Sequence, residues 1–127
     1  MLGIDHISID HIGIGAHDPV ASARFLADVL GIGPAQPAGP DGDLLSLPIS
    51  GSTSLIYAKS VVKEGMHIAF QVDSRRFEAI LERLQAKNLA FGNRPDQPDN
   101  RQTHDHLGGQ GRVYFLDPSG HLFEVCA

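Results

Sequence analysis

The sequence is poor in the residues that build disulfide frameworks, membrane spans and nucleic-acid surfaces. Its one cysteine, Cys126, excludes an intrachain disulfide and a cysteine-based zinc finger. No apolar run approaches the ~20 residues that a membrane span needs. The formal net charge of −5 argues against a nucleic-acid partner, which would select a basic patch.

What remains is typical of one globular domain in a reducing compartment. Hydrophobic residues make up 42% and charged residues 20% of the chain. A length of 127 residues is enough to form a core without disulfides. The first residues contain no basic segment, so no secretory signal is visible. We expect a single domain over residues 1–127, located in the cytoplasm, with no membrane or nucleic-acid partner.

Local patterns predict the elements of the first half. Residues 4–15 alternate as a strand does, and Asp18 with Pro19 predicts a helix that ends at Gly31. Residues 32–43 are rich in proline, glycine and aspartate and indicate a loop. Two short strands are predicted at 44–49 and 54–58.

The same order then starts again. Residues 66–72 predict a strand, Asp73 a second helix start, and residues 113–116 and 121–126 a hairpin. A further strand is possible in the loop of each half, near 89–93 in the second. The repeat distance is about 56 residues. We therefore predict an α+β fold of two βαβββ modules, 1–60 and 66–127, that form a curved, mostly antiparallel half-barrel sheet with the helices outside.

Seven histidines invite a search for a metal or proton-transfer site. Strand parity places His67 with Ala69 and Gln71 on the face opposite the apolar side that the helix must cover. In the first module His11 shares its face with Gly13. Small residues beside each histidine leave the room that a ligand cavity requires. His6 has the opposite parity and is expected to be structural.

The closing hairpin adds a carboxylate to this pair of histidines. Residues 118–120 fit a three-residue loop that places Tyr114 opposite Glu124. A carboxylate in an apolar strand is costly to bury unless it is paired or binds a metal. Together with His11 and His67, Glu124 makes a set suited to one divalent metal ion with open positions, such as Fe, Mn, Zn, Ni or Co.

From His11 to the C-terminus the chain resembles the vicinal oxygen chelate superfamily, which includes glyoxalases, bleomycin-resistance proteins and extradiol dioxygenases. The resemblance rests on residues 10–14, 29–31, 67–70 and the closing 114–124 motif. It implies metal ligands at His11, His67 and Glu124. It also implies a homodimer and a small-molecule substrate whose two adjacent oxygens bind the metal.

One departure from the family pattern narrows the reaction. Isomerase-like members carry a fourth ligand on the last strand of the first half, a position that the repeat maps near Leu55, or Ser54 or Ile56 if the register shifts by one. None of these is a ligand-type residue. The site then has three protein ligands, which favours a ring-cleaving-dioxygenase-like activity or a lyase- or transferase-like one.

Three further residues are candidates for catalysis. The resemblance gives Tyr114 a substrate contact, and His104 or His106 in the long polar loop could transfer protons. Arg101 and Arg112 could contact an anionic substrate. The competing interpretation of Tyr114 is a packed strand residue, and that of His104 and His106 is a solvated loop. For the whole chain, the alternative is a metal-free protein that binds a drug or metabolite in the manner of bleomycin-resistance proteins.

Overall fold

The computed structural model describes residues 7–127, so His6 and the first residues of the predicted strand at 4–15 lie outside it. The chain divides between Val62 and Lys63 into two compact units. No helix in the described part of the chain is long and apolar enough to cross a membrane.

The first unit is a βαβββ module. Its elements are β1 (His11–Ala16), α1 (Pro19–Leu30), β2 (Gln36–Ala38), β3 (Leu44–Pro48) and β4 (Ser54–Lys59). The strands follow the order β1-β4-β3-β2, with β1 parallel to β4 and the other pairs antiparallel. Of the described residues in the predicted strand, 7–10 lie outside β1, and the pairing with β4 begins with His11 opposite Ser54.

Both ends of α1 follow from its capping residues. Asp18 accepts a hydrogen bond from the backbone N–H of Ala21, and Pro19 occupies the first turn. Gly31 ends the helix in the left-handed region with φ of 73°, where its N–H bonds the carbonyl of Ala27. The helix buries one stripe of residues, which comprises Ser22, Ala23, Leu26, Ala27, Val29 and Leu30. The predicted start and end of this helix are confirmed.

The second unit repeats the order with one strand fewer. Its elements are β5 (His67–Gln71), α2 (Ser74–Ala86), β6 (Arg112–Leu116) and β7 (Leu122–Cys126). The strand order is β5-β7-β6, with β5 parallel to β7 and β6 antiparallel to it. The two units thus form two open mixed sheets with two helices, which confirms the α+β class.

The further strand expected near 89–93 is reduced to one bridge between Gly92 and Tyr114. The residues on either side of Gly92 form their backbone hydrogen bonds with residues 100 and 101 of a neighbouring loop instead. The carbonyl of Phe91 accepts from the N–H of Arg101 at 2.8 Å, and the N–H of Asn93 donates to the Asn100 side chain at 3.1 Å. The ladder to β6 therefore cannot extend beyond a single pair.

The hairpin between β6 and β7 has the predicted turn and register. Gly120 adopts a φ of 90°, and the Asp117 carboxylate accepts from the backbone N–H groups of Ser119 and His121. Tyr114 lies opposite Glu124 as expected.

Loss of the second helix cap should lower stability measurably. Asp73 accepts from the N–H of Arg76 at 2.8 Å, so Asp73→Ala is expected to reduce the free energy of unfolding by about 1 kcal/mol, and Asp73→Ser to retain most of it. Urea unfolding followed by circular dichroism measures both. Asp41→Ala, which removes an exposed loop acid, is the control for the change in charge. Equal effects of the Asp73→Ala and Asp41→Ala changes would argue against the cap.

Candidate functional site

Glu124 is a buried carboxylate on the central strand of the second sheet, with 5% of its surface exposed. Its Oε1 lies 2.9 Å from Nε2 of His67 on β5. Its Oε2 accepts a hydrogen bond from Nη1 of Arg112 on β6. The residue opposite Glu124 on β5 is Ala69, whose small side chain leaves this side of the sheet open.

His67 is oriented by its second ring nitrogen. Nδ1 lies 3.2 Å from the carbonyl oxygen of Leu122. A carbonyl can only accept, so the ring donates from Nδ1, and a neutral imidazole then has only a lone pair on Nε2. In this tautomer the lone pair faces the Oε1 of Glu124, an arrangement that a metal ion between the two atoms would satisfy. In the other tautomer, Nε2–H would donate a hydrogen bond to Oε1.

The His67–Glu124 pair fits a shared metal ion. Two ligand atoms each about 2.1 Å from an ion, at right angles to each other, lie about 3 Å apart. The observed separation of Nε2 and Oε1 is 2.9 Å. An Nδ1–H donated to a backbone carbonyl is also the usual support of a metal-binding histidine.

His11 in the first unit has a comparable arrangement. Its Nδ1 lies 2.8 Å from the Asp10 carboxylate, and its side chain is half exposed. Carboxylate support at Nδ1 leaves Nε2 with a lone pair for a ligand. Among residues 7–127, Nε2 of His11 has no hydrogen-bond partner.

Neither unit alone, within residues 7–127, gathers three His, Cys, Asp or Glu side chains that could hold a metal ion. The second unit supplies the His67–Glu124 pair, and the first unit supplies His11. A centre with all three ligands therefore stays a prediction.

The register settles which residue corresponds to a fourth ligand. His67 lies opposite Leu122, two residues before Glu124, and His11 lies opposite Ser54. The counterpart of Glu124 is therefore Ile56 and not Leu55, on which the sequence mapping was centred. Ile56 has no ligand atom, so the conclusion that this position donates nothing is unchanged.

Tyr114 packs its ring against His67. The ring centroids are 6.0 Å apart with an interplanar angle of 20°. Burial, and after it the charge of Glu124, raises the pKa of the Tyr114 hydroxyl. The phenol therefore keeps its proton at neutral pH and remains a hydrogen-bond donor.

Sequence reasoning missed a second buried carboxylate that takes part in this network. The polar sequence around Asp105 predicted a solvated loop, but the residue is only 4% exposed. Its Oδ1 accepts from Nε of Arg112 at 2.9 Å. The hydrogen bond from Arg112, followed by that from the N–H of Leu107, holds the pKa of Asp105 below its usual range. Strand alternation could have revealed part of this network from the sequence. Arg112 lies two residues before Tyr114 on β6, so it shares the face of Tyr114 and points toward Glu124.

The structure places the two predicted loop histidines beside Asp105 in the chain. His104 and His106 flank Asp105, and both are exposed. In the described part of the chain neither ring makes a hydrogen bond or ion pair with His67 or Glu124. Their role in proton transfer stays a prediction. Arg112, considered for an anionic substrate, instead binds two carboxylates of the protein.

A polar cleft of about 440 Å³ opens beside His11 in the first unit. Hydroxyl groups dominate its lining, which comprises Asp10, His11, Ser46, Pro48, Ser50, Gly51, Ser52, Thr53, Ser54 and Ile56. Ser54 lies opposite both His11 on β1 and Pro48 on β3, and Ser46 lies opposite Ile56. The cleft therefore offers oxygen donors and acceptors next to a candidate ligand.

The repeated modules, the histidines at matching strand positions and the closing hairpin define a known class of protein. The family model described as the Glyoxalase/Bleomycin resistance protein/Dioxygenase superfamily matches residues 8–125. The chain belongs to this superfamily.

Two solved structures share the fold at notable sequence identity. The chain is 32% identical to the protein described as oxidase ChaP-H2, with a TM-score of 0.85 over 96% of this chain and 94% of that one. It is 30% identical to oxidase ChaP-H1, with a TM-score of 0.85 over 95% of each chain. The fosfomycin resistance protein FosX from Listeria monocytogenes is 20% identical, with a TM-score of 0.70 over 95% of this chain and 93% of that one, and shows the fold alone.

The ion pair of Asp105 should make stability depend on pH in one direction. Because its pKa is lowered in the folded state, its contribution is present above the unfolded value of about 3.9 and is lost as the pH falls through the folded value. Asp105→Asn should therefore be less stable than the wild type at pH 7, and the difference should shrink below about pH 4. Urea unfolding across this range measures it, with Asp41→Asn as control. A difference that is independent of pH would contradict the assignment.

Proposed function

We propose that this protein is a metal-dependent enzyme that acts on a small molecule with two adjacent oxygens. Ring-cleaving dioxygenation is the first reaction class, and lyase or transferase chemistry is the second. The facing of His67 Nε2 and Glu124 Oε1, with Nδ1 already bonded, carries the metal part of the proposal. The 32% and 30% identity to two oxidases over nearly the whole chain favours the oxidative part.

The proposed ligands are Nε2 of His11, Nε2 of His67 and Oε1 of Glu124. When bound, a divalent ion would act as a Lewis acid toward the substrate oxygens and, as iron or manganese, would support electron transfer to dioxygen. Since Ile56 takes the place of a fourth ligand, coordination positions remain for the substrate. Ring cleavage would incorporate both atoms of dioxygen into the product, so the reaction would consume no external reductant.

The protein's other groups would orient the substrate and hold its protons. Tyr114 would donate its O–H to a substrate oxygen, since its raised pKa keeps it protonated. His104 or His106 would exchange protons from the exposed loop. The hydroxyl-lined cleft beside His11 would accommodate a portion of the substrate that carries further oxygens.

A metal-free binding protein is the second candidate, and one observation favours it. A hydrogen bond donated from Nε2 of His67 to Oε1, together with the guanidinium of Arg112 at Oε2, would satisfy both oxygens of Glu124 without any metal ion. The two candidates differ in what fills the space between Nε2 and Oε1, a proton in one case and a metal in the other. Metal binding therefore separates them.

We expect one equivalent of metal per chain after loading with Fe(II) under anaerobic conditions, with at least tenfold weaker binding in His67→Ala and Glu124→Ala. The reason is that each change removes one of three donors. Elemental mass spectrometry after desalting measures the metal content. His17→Ala is the matched control, because it removes an exposed histidine that accepts from the N–H of Val62.

An absence of metal uptake by the wild type would decide against the enzyme candidate. If the wild type takes up none of Fe, Mn, Zn, Ni or Co and binds small molecules equally well with a chelator present, the binding-protein candidate stands. If the His17→Ala variant loses metal as strongly as His67→Ala, the uptake is non-specific and the ligand set is wrong.

Tyr114→Phe should lower kcat/KM about 100-fold and leave metal content unchanged, because only the donated hydrogen bond is lost. Oxygen uptake by the Fe(II)-loaded protein with a panel of catechols provides the measurement. The control is Tyr57→Phe, which removes a buried phenol hydroxyl in the first unit and not in the unit that carries His67 and Glu124. Full activity in the Tyr114→Phe variant would mean that Tyr114 has only a packing role.

A further inference from the structure

Arg112 connects two buried carboxylates that belong to different parts of the second unit. Nη1 donates to Oε2 of Glu124 on β7. Nε donates to Oδ1 of Asp105 at 2.9 Å, and Nη2 lies 3.5 Å from Oδ2 of the same carboxylate. The side chains of all three residues are at most 13% exposed. The guanidinium is thus fixed at both ends and shielded from water.

Asp105 is itself held by the backbone of its loop. It accepts hydrogen bonds from the N–H of Leu107 at 2.9 Å and from the N–H of Gly109 at 3.0 Å. A Cβ at position 109 would lie 2.2 Å from Oδ2 of Asp105, so the loop approaches the carboxylate more closely than a side chain would allow. Asp105 is therefore a fixed anchor for Arg112.

The two oxygens of Glu124 consequently have different partners. Oε2 is occupied by Arg112, and Oε1 faces Nε2 of His67. A carboxylate without such a restraint can present both oxygens to one ion. With Oε2 held by a buried guanidinium, only Oε1 is available.

We propose that Arg112, anchored by Asp105, is a positioning residue that restricts Glu124 to one ligand oxygen. This inference rests on the proposed function, since it concerns how the carboxylate meets the metal ion. Its consequence is that one more coordination position stays open for the substrate. The planar fork of arginine is required, because a lysine ammonium is a point charge that cannot bond both carboxylates with the same geometry.

A purely structural role would also explain a buried ion pair, so the test needs a signal from the metal's surroundings. Co(II) alone is the probe, since its visible absorption changes with the number and arrangement of its ligands. The variants are Arg112→Lys, Arg112→Met and Asp105→Asn, each checked for folding by circular dichroism. Arg94→Met is the matched control, because Arg94 pairs with Asp96 in an exposed loop.

The wild type and Arg94→Met should give the same Co(II) spectrum and affinity. Arg112→Lys should give an altered spectrum and bind Co(II) about tenfold to 100-fold more weakly, as expected when a residue that supports a ligand is changed. Asp105→Asn should shift the spectrum in the same direction. Added to Arg112→Lys it should have no further effect, because Asp105 acts through Arg112.

The outcomes separate the two proposals. If the wild type binds no Co(II), the proposed function fails and this inference fails with it. If the wild type binds Co(II) and the folded Arg112→Lys and Asp105→Asn variants keep its spectrum and affinity, only the positioning role is overturned. If Arg112→Met does not fold, the other two variants still decide.

Discussion

The cost of burying the carboxylate of Glu124 is the constraint on which the second unit depends. A charged group in an apolar strand is tolerated only when its oxygens are fully engaged. Here one oxygen receives a guanidinium and the other faces an imidazole. The guanidinium in turn requires Asp105, and Asp105 requires a tight loop with glycine at position 109. One acidic side chain thereby links the turn at 107–109 to the strand that carries Arg112.

Features governed by neighbouring residues could be predicted from the sequence. The cap at Asp18, the left-handed Gly31 and the turn that places Tyr114 opposite Glu124 each depend on a few adjacent residues. The Asp105–Arg112 contact could not be predicted in this way, because it joins a non-periodic loop to a strand. The choice among Leu55, Ser54 and Ile56 stayed open for a related reason, since a one-residue register is set by pairing and not by local pattern.

The two modules have kept their order of elements and diverged in chemistry. In the first, His11 is supported by an exposed aspartate and adjoins a cleft rich in hydroxyl groups. In the second, His67 is supported by a backbone carbonyl and adjoins a buried charge network. Ile56 and Glu124 occupy corresponding positions, so only the second module carries a carboxylate there. The first module therefore adds a set of hydroxyl groups to its histidine, and the second adds a buried guanidinium and two buried carboxylates.

The parallel pairing of the first and last strands in each unit has a consequence for synthesis on the ribosome. Within residues 7–127, β1 pairs with β4 alone and β5 with β7 alone, so each of these two edge strands waits for the final strand of its own unit. Pairings between residues distant in sequence form slowly. The first unit can complete its sheet once residue 59 has emerged, whereas β5 stays unpaired until β7 has been made. His67 therefore meets Glu124 only after β7 has been synthesised, so the sheet of the first unit can be complete while the His67–Glu124 pair is still absent.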